Sequence, residues 1–160
     1  MDNEIDIALD VNGRAIRARV PARRNLVDFL RHDLHLTGTH VGCEHGVCGM
    51  CTIRVDGRIV RGCLMLAVQA DGAVVETIEG LTETGEIADL QSTFVERNAG
   101  QCGFCTPGML LTAHELLSQR PRPSRAEIRA FMAGNYCRCT GYQAIVDAVE
   151  VAARIRGERS

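Results

Sequence analysis

Eight cysteines hold most of the reactive chemistry of this 160-residue chain. Cys43, Cys48, Cys51 and Cys63 read C-x4-C-x2-C-x11-C; Cys102, Cys105, Cys137 and Cys139 read C-x2-C and then, after 31 residues, C-x-C. Thiolates are soft donors, and four of them gathered together suit zinc or iron–sulfur centres. Two four-thiolate sites are implied. Disulfides are the other use of an even cysteine count, but they belong to oxidising compartments. A secretory signal starts positive and continues apolar, whereas Met1-Asp2-Asn3-Glu4-Ile5-Asp6 is acidic and alternating. The expected home is cytoplasmic, where clustered cysteines point to metal.

The spacing of Cys43, Cys48 and Cys51 is that with which plant-type ferredoxins ligate a [2Fe–2S] cluster. Gly42, Gly46 and Gly49, interleaved with them, let the backbone approach closely and aim N–H groups at the sulfurs. The bland alternative is a glycine-rich surface turn. A zinc ribbon repeats C-x2-C after roughly 15–20 residues, a form neither set has. His45 beside Cys43 is half of a Rieske pattern, but no Cys-x-x-His follows. His40 and His45 therefore read as polar loop residues, and His114, among apolar neighbours, as a satisfied buried histidine without a role.

Regular elements must hold these loops. Ile5, Ile7, Leu9 and Val11 alternate, Asn12-Gly13 turns, and Ile16, Ala18 and Val20 resume the alternation, which predicts a hairpin. Asn25 caps a helix carrying Leu26, Phe29, Leu30 and Leu34; Gly38 to Cys51 is irregular. A second hairpin spans Thr52–Val55, Asp56-Gly57 and Arg58–Val60, and Ala73–Ile78 reads as a further strand. From Leu81 the period becomes helical. Ile87, Leu90, Phe94 and Val95 mark one helix, ended by Gly100; Thr106 caps a second with Pro107 in its first position and Met109–Leu117 within it. Ser124 and Glu127 form a capping box for a third, with Ile128, Phe131 and Met132 apolar and Gly134 at its end; a fourth runs over Gln143–Arg156 and stops at Gly157. Two helical hairpins facing each other round the second cysteine set make a four-helix bundle.

With 46% hydrophobic residues, four Phe, two Tyr and no Trp, the cores must be aliphatic. A net charge of −2 supplies no basic face for nucleic acid. No stretch approaches the length of a membrane span.

Three ordered motifs and the position of Cys63 carry a resemblance. Gly42-Cys43-Glu44-His45-Gly46-Val47-Cys48-Gly49-Met50-Cys51, with Cys63 soon after, Gln101-Cys102-Gly103-Phe104-Cys105-Thr106-Pro107-Gly108, and Tyr136-Cys137-Arg138-Cys139-Thr140-Gly141-Tyr142 resemble the small iron–sulfur subunit of molybdenum hydroxylases. This is the family of xanthine oxidase and aerobic carbon monoxide dehydrogenase. The similarity spans nearly the whole chain, and the early fourth cysteine, Cys63, matches this family better than plain plant-type ferredoxins. The resemblance implies an α+β chain: an N-terminal β-grasp, plant-type ferredoxin-like [2Fe–2S] domain over 1–80, followed by an all-α four-helix-bundle [2Fe–2S] domain over 81–160.

It also implies a division of labour. A large subunit carries the molybdopterin-type molybdenum cofactor and a medium subunit usually carries FAD, in a heterotrimer or a dimer of heterotrimers. Electrons leave molybdenum, enter the C-terminal cluster, cross to the N-terminal cluster and reach the flavin, or in some relatives a cytochrome. Cys139 is then the ligand closest to the pterin and Gln101 a hydrogen-bond partner of it. No catalytic residue lies in this chain, which turns over no substrate alone. Carbon monoxide, N-heterocycles, purines and aldehydes stay open as substrates. The rival readings are a free-standing two-cluster ferredoxin with a charged docking surface and a zinc-stabilised interaction module.

Overall fold

Alternation and two-residue turns build the N-terminal half as read. The computed structural model describes residues 3–159; Met1 and Asp2 of the acidic N-terminal stretch lie outside the described residues. Strand β1 (Glu4–Val11) pairs antiparallel with β2 (Arg14–Pro21), Val11 opposite Arg14. Asn12 (φ 53°) and Gly13 (φ 76°) both take the left-handed conformation that a tight two-residue hairpin needs. Asp56 (φ 47°) and Gly57 (φ 76°) do the same between β3 (Thr52–Val55) and β4 (Arg58–Arg61). Strand β5 (Val74–Glu76) lies parallel to β1 and antiparallel to β3, completing a mixed sheet of order β2-β1-β5-β3-β4.

Asn25 caps α1 (Leu26–Asp28) by accepting from the Asp28 N–H at 2.8 Å. The helix then widens into a π-helical turn over Phe29–Asp33. Leu26, Phe29 and Leu30 are fully buried against Ile7, Leu9, Val11, Ile53 and Val75 of the sheet. Arg31 leaves this turn to donate to the carbonyls of Thr37 (2.6 Å) and Thr39 (2.7 Å), so the helix fixes the entry to the first cysteine loop.

The second half is helical, with a separate core of Leu90, Met109, Leu116, Ile128, Ile145 and Val149 among others. Short α2 (Ile78–Glu83) leads into α3 (Ala88–Glu96), α4 (Thr106–Gln119), α5 (Arg125–Met132) and α6 (Gln143–Arg159). The Ser124/Glu127 capping box forms as read. Among the described residues, no helix is long and apolar enough to cross a membrane.

Five local expectations are corrected. The strand expected to reach Ile78 ends at Glu76, because the side chain of Asn12 takes the Thr77 N–H (2.8 Å) and donates to its hydroxyl (3.0 Å). Helix α3 is ended by Asn98 (φ 52°) rather than Gly100, and Val95 is 79% exposed rather than on the apolar face. Cys105, not Thr106, occupies the cap position of α4. Helix α6 continues through Gly157, since one glycine costs a helix only about 1 kcal/mol and does not forbid it.

An ionic network joins the halves. Arg54 on β3 donates to Glu76 (2.7 and 2.8 Å) and to Glu86 ahead of α3 (2.7 and 3.0 Å). His114 of α4 is buried beside it, Nε2 lying 3.0 Å from Glu86 and 3.2 Å from Arg54, with Nδ1 3.4 Å from Arg156, itself paired with Asp89. Burial, then the Arg156 charge, hold the His114 pKa below its ordinary 6.5, against the pull of Glu86. The unfolded chain therefore binds the proton more readily than the folded one. This contribution to stability is full above about pH 6.5 and is lost as pH falls through the lower folded value. The urea midpoint is expected to drop between pH 7 and pH 5 more steeply in the wild type than in His114→Gln; parallel profiles would contradict it.

Candidate metal centres

The first loop gathers its sulfurs in two pairs. Cys48 donates its backbone N–H to the Cys43 sulfur at 3.4 Å and the two thiols interact; likewise the Cys63 N–H is aimed at the Cys51 sulfur, the β3–β4 hairpin bringing Cys63 back beside it. Cys48 and Cys51 are buried, while Cys43 and Cys63 are half-buried. The loop turns through left-handed Glu44 (φ 59°), Gly46 (φ 82°) and Gly49 (φ 77°). A Cβ on Gly42 would lie 3.1 Å from the Cys48 sulfur. Gly42, Gly46 and Gly49 thus clear space as expected, and the Gly42 N–H is aimed at the Cys48 sulfur, while the N–H groups round the Cys43 sulfur come from Cys48, His45 and Val47.

The second set also forms two pairs, brought together by the α3–α4 and α5–α6 connections. Cys102 and Cys139 lie 3.5 Å apart, sulfur to sulfur, and are both exposed; buried Cys105, at the start of α4, bonds to Cys137. Thr140 donates its hydroxyl (3.1 Å) and its N–H (3.4 Å) to the Cys137 sulfur. Gln101 is exposed beside Cys102. His45 contacts the Cys43 carbonyl, and His40 contacts the Phe104 carbonyl at 2.8 Å while stacking on its ring at 4.7 Å. Both histidines turn to backbone and ring rather than to sulfur.

The electrostatics suit bound metal. Backbone N–H groups of Cys48 and His45 pull the Cys43 thiol down to about 6. Burial pushes Cys51 and Cys105 up to about 12, and raises Cys48. Burial also opposes ionisation of Cys137, but the two Thr140 bonds outweigh it and lower this thiol. The hydrogen bond that Cys139 donates to the Cys102 sulfur raises the Cys139 thiol. Buried thiolates without a cation are costly, and metal binding removes that cost. All eight cysteines are free, and among the described residues no three Cys, His, Asp or Glu side chains are arranged round a single ion. Paired sulfurs instead fit a cluster of two irons, each taking two thiolates.

The two loops meet at a seam that sequence reasoning missed. Tyr136 donates its N–H to the Cys48 carbonyl at 2.8 Å. Asn135, only 1% exposed, donates to the Gly49 carbonyl (3.1 Å) and accepts from Thr112 (3.1 Å) and Arg61 (3.3 Å). A lone polar residue ahead of C-x-C carries no pattern that would mark it as buried. At Gly49 a Cβ would lie 2.6 Å from the Asn135 side chain and 2.7 Å from the Gly134 carbonyl. With the left-handed backbone added, Gly49→Ala is expected to cost about 1–3 kcal/mol and to lower the iron bound per chain. Unchanged melting temperature and iron content would contradict this.

Known proteins resemble this chain over most of its length. Residues 9–77 match the 2Fe-2S iron-sulfur cluster binding domain family and residues 77–150 the [2Fe-2S] binding domain family. Caffeine dehydrogenase subunit gamma of Pseudomonas sp. (strain CBB1) is 53% identical over 147 residues, covering 90% of this chain and 88% of that protein. In the crystal structure of quinoline 2-oxidoreductase from Pseudomonas putida 86, one chain superposes with a TM-score of 0.91 at 47% identity, covering 97% of both chains. Aldehyde oxidoreductase from Desulfovibrio gigas superposes with a TM-score of 0.89 at 41% identity, over 98% of this chain but 18% of that one. The fold recurs both as a separate chain and as a small part of a much longer one. Two cluster-binding domains in this order, on this fold and at these identities, mean that the chain belongs to the small iron–sulfur, electron-transfer subunits of the molybdenum hydroxylases, which are oxidoreductase complexes.

Proposed function

We propose that Cys43, Cys48, Cys51 and Cys63 hold one [2Fe–2S] cluster and Cys102, Cys105, Cys137 and Cys139 a second, one in each of two units that divide near residue 80. The observation that carries this is the grouping of eight free thiols into two separate sets of close pairs with backbone N–H groups aimed at sulfur. When bound, each cluster accepts and releases a single electron. The chain's part is to hold and tune. Burial of Cys48, Cys51 and Cys105 keeps water from three sulfurs. The N–H groups of Cys48, His45 and Val47 round the Cys43 sulfur favour the more negative, reduced state.

The two ends of the chain differ in what they offer partners. Gln101, Cys102 and Cys139 form an exposed edge, and exposed Val95 lies on α3 of the same helical half. This edge suits a large subunit carrying the molybdopterin-type cofactor, with Cys139 and Gln101 toward the pterin. The first loop, with exposed Val47 and Leu64, suits a medium FAD subunit, in a cytoplasmic heterotrimer or a dimer of heterotrimers. The longer aldehyde oxidoreductase chain supports this reading, because its remaining length offers room for such parts. Similar folds occur in proteins named for quinoline and for aldehydes, so substrate choice is assigned to the large subunit.

Iron and acid-labile sulfide analysis of the purified complex is expected to give two clusters for this chain, with two distinct paramagnetic signals on reduction. A single cluster, or stoichiometric zinc in a colourless protein, would overturn the assignment.

A further inference from the structure

The segment Cys48–Gly49 meets Gly134–Tyr136 and the first turn of α4 closely, with glycines at two of the contact points. A Cβ on Gly108 would lie 2.4 Å from the Gly49 carbonyl, and one on Gly49 would strike Asn135. Asn135 occupies this junction with its polar groups matched: its amide donates to Gly49, its side-chain oxygen accepts from Thr112 and Arg61, and its backbone carbonyl accepts from the Tyr142 hydroxyl at 3.2 Å. That hydroxyl in turn accepts the Cys137 N–H at 2.8 Å. The Gly49 carbonyl also accepts from the Thr52 hydroxyl at 2.6 Å, and Arg61 donates to that hydroxyl and, at 2.9 Å, to the Gly134 carbonyl. A buried, fully bonded polar group rigidifies and specifies one geometry, since any slippage leaves a desolvated donor or acceptor unmade.

We propose that Asn135 is a positioning residue for electron exchange between the two clusters. By anchoring Gly49 it holds the Cys48 carbonyl on the Tyr136 N–H, so that the chain from the Cys48 sulfur to the Cys137 sulfur is interrupted by one hydrogen bond. This rests on the assignment of both cysteines as ligands. One electron leaves one cluster, which is oxidised, and reaches the other, which is reduced; no bond forms or breaks and no proton moves. Another contact between the loops, the His40–Phe104 stack, has Phe104 45% exposed, whereas Asn135 at the seam is 1% exposed and bonded through both its amide groups.

The test uses the assembled complex with two substitutions. Asn135→Asp keeps the shape but turns the amide donor into an acceptor facing the Gly49 carbonyl. Gly108→Ala places a methyl against that carbonyl without changing charge. Both variants are expected to lose some melting temperature, since the Gly108 methyl must push the Gly49 backbone aside, and to show both paramagnetic signals in their iron-loaded fraction. The magnetic splitting between the two reduced clusters should shrink. The rate at which the N-terminal cluster is reduced after the C-terminal one, on rapid mixing with the complex's reductant, should fall about tenfold. Reduction of the C-terminal cluster itself should be unchanged. Wild-type splitting and rate in both loaded variants would overturn the proposal. So would loss of iron from both, because Asn135 would then hold the fold rather than the route. A parent complex lacking two cluster signals would overturn the ligand assignment, and the proposal with it.

Discussion

Cys48→Ser is expected to halve the cluster content of the chain and to lower acceptor-linked turnover of the complex by at least about 100-fold, equivalent to roughly 2.7 kcal/mol of barrier. Serine is nearly isosteric, so the loop fold survives while a hard oxygen replaces a soft sulfur. Cys48 is 8% exposed, so no outside ligand can easily take its place. Its contact with the second loop is made by a backbone carbonyl, which the substitution leaves intact. The C-terminal cluster should therefore persist and still bleach on adding substrate. Acceptor-linked turnover persisting after the N-terminal cluster is shown to be missing would refute the expected order of transfer.

Cys139→Ser is expected to have an effect as large by a different route. Cys139 is exposed, 3.5 Å from equally exposed Cys102, at the edge proposed to meet the molybdenum subunit. Its loss should abolish the magnetic coupling between Mo(V) and the nearer cluster, and turnover should fall about 100-fold. Cys63→Ser is the control: Cys63 belongs to the other set, beside Cys51, and its loss should leave the Mo(V) coupling intact. Coupling that disappeared with Cys63 and survived without Cys139 would reverse the order of the two sites.

The hairpin turns were legible because Asn12-Gly13 and Asp56-Gly57 meet a purely local requirement, two successive left-handed residues. The same holds for the Asn25 cap and the Ser124/Glu127 box, whose partners lie three residues away. Cysteine spacing and interleaved glycines likewise announce cluster loops, since a cluster must be wrapped by closely spaced donors. Helix ends were missed by a few residues for local reasons, and two further misses depended on the rest of the fold. Asn12, 65 positions away, ends strand β5 ahead of Thr77, and nothing near Val95 in the sequence says that its side chain is exposed.

By itself the sequence determined the two cysteine sets, the change from sheet to helices, and through its motifs the family. Tertiary structure alone decided which sulfurs pair, which are buried, and that Asn135, Thr112 and Arg61 close the seam between the loops. Cys102 and Cys139 are 37 residues apart, and Asn135 and Gly49 are 86 apart. Contacts at such separations follow from how two cores pack against each other, and packing sums many weak apolar contacts that leave no short-range pattern in the chain.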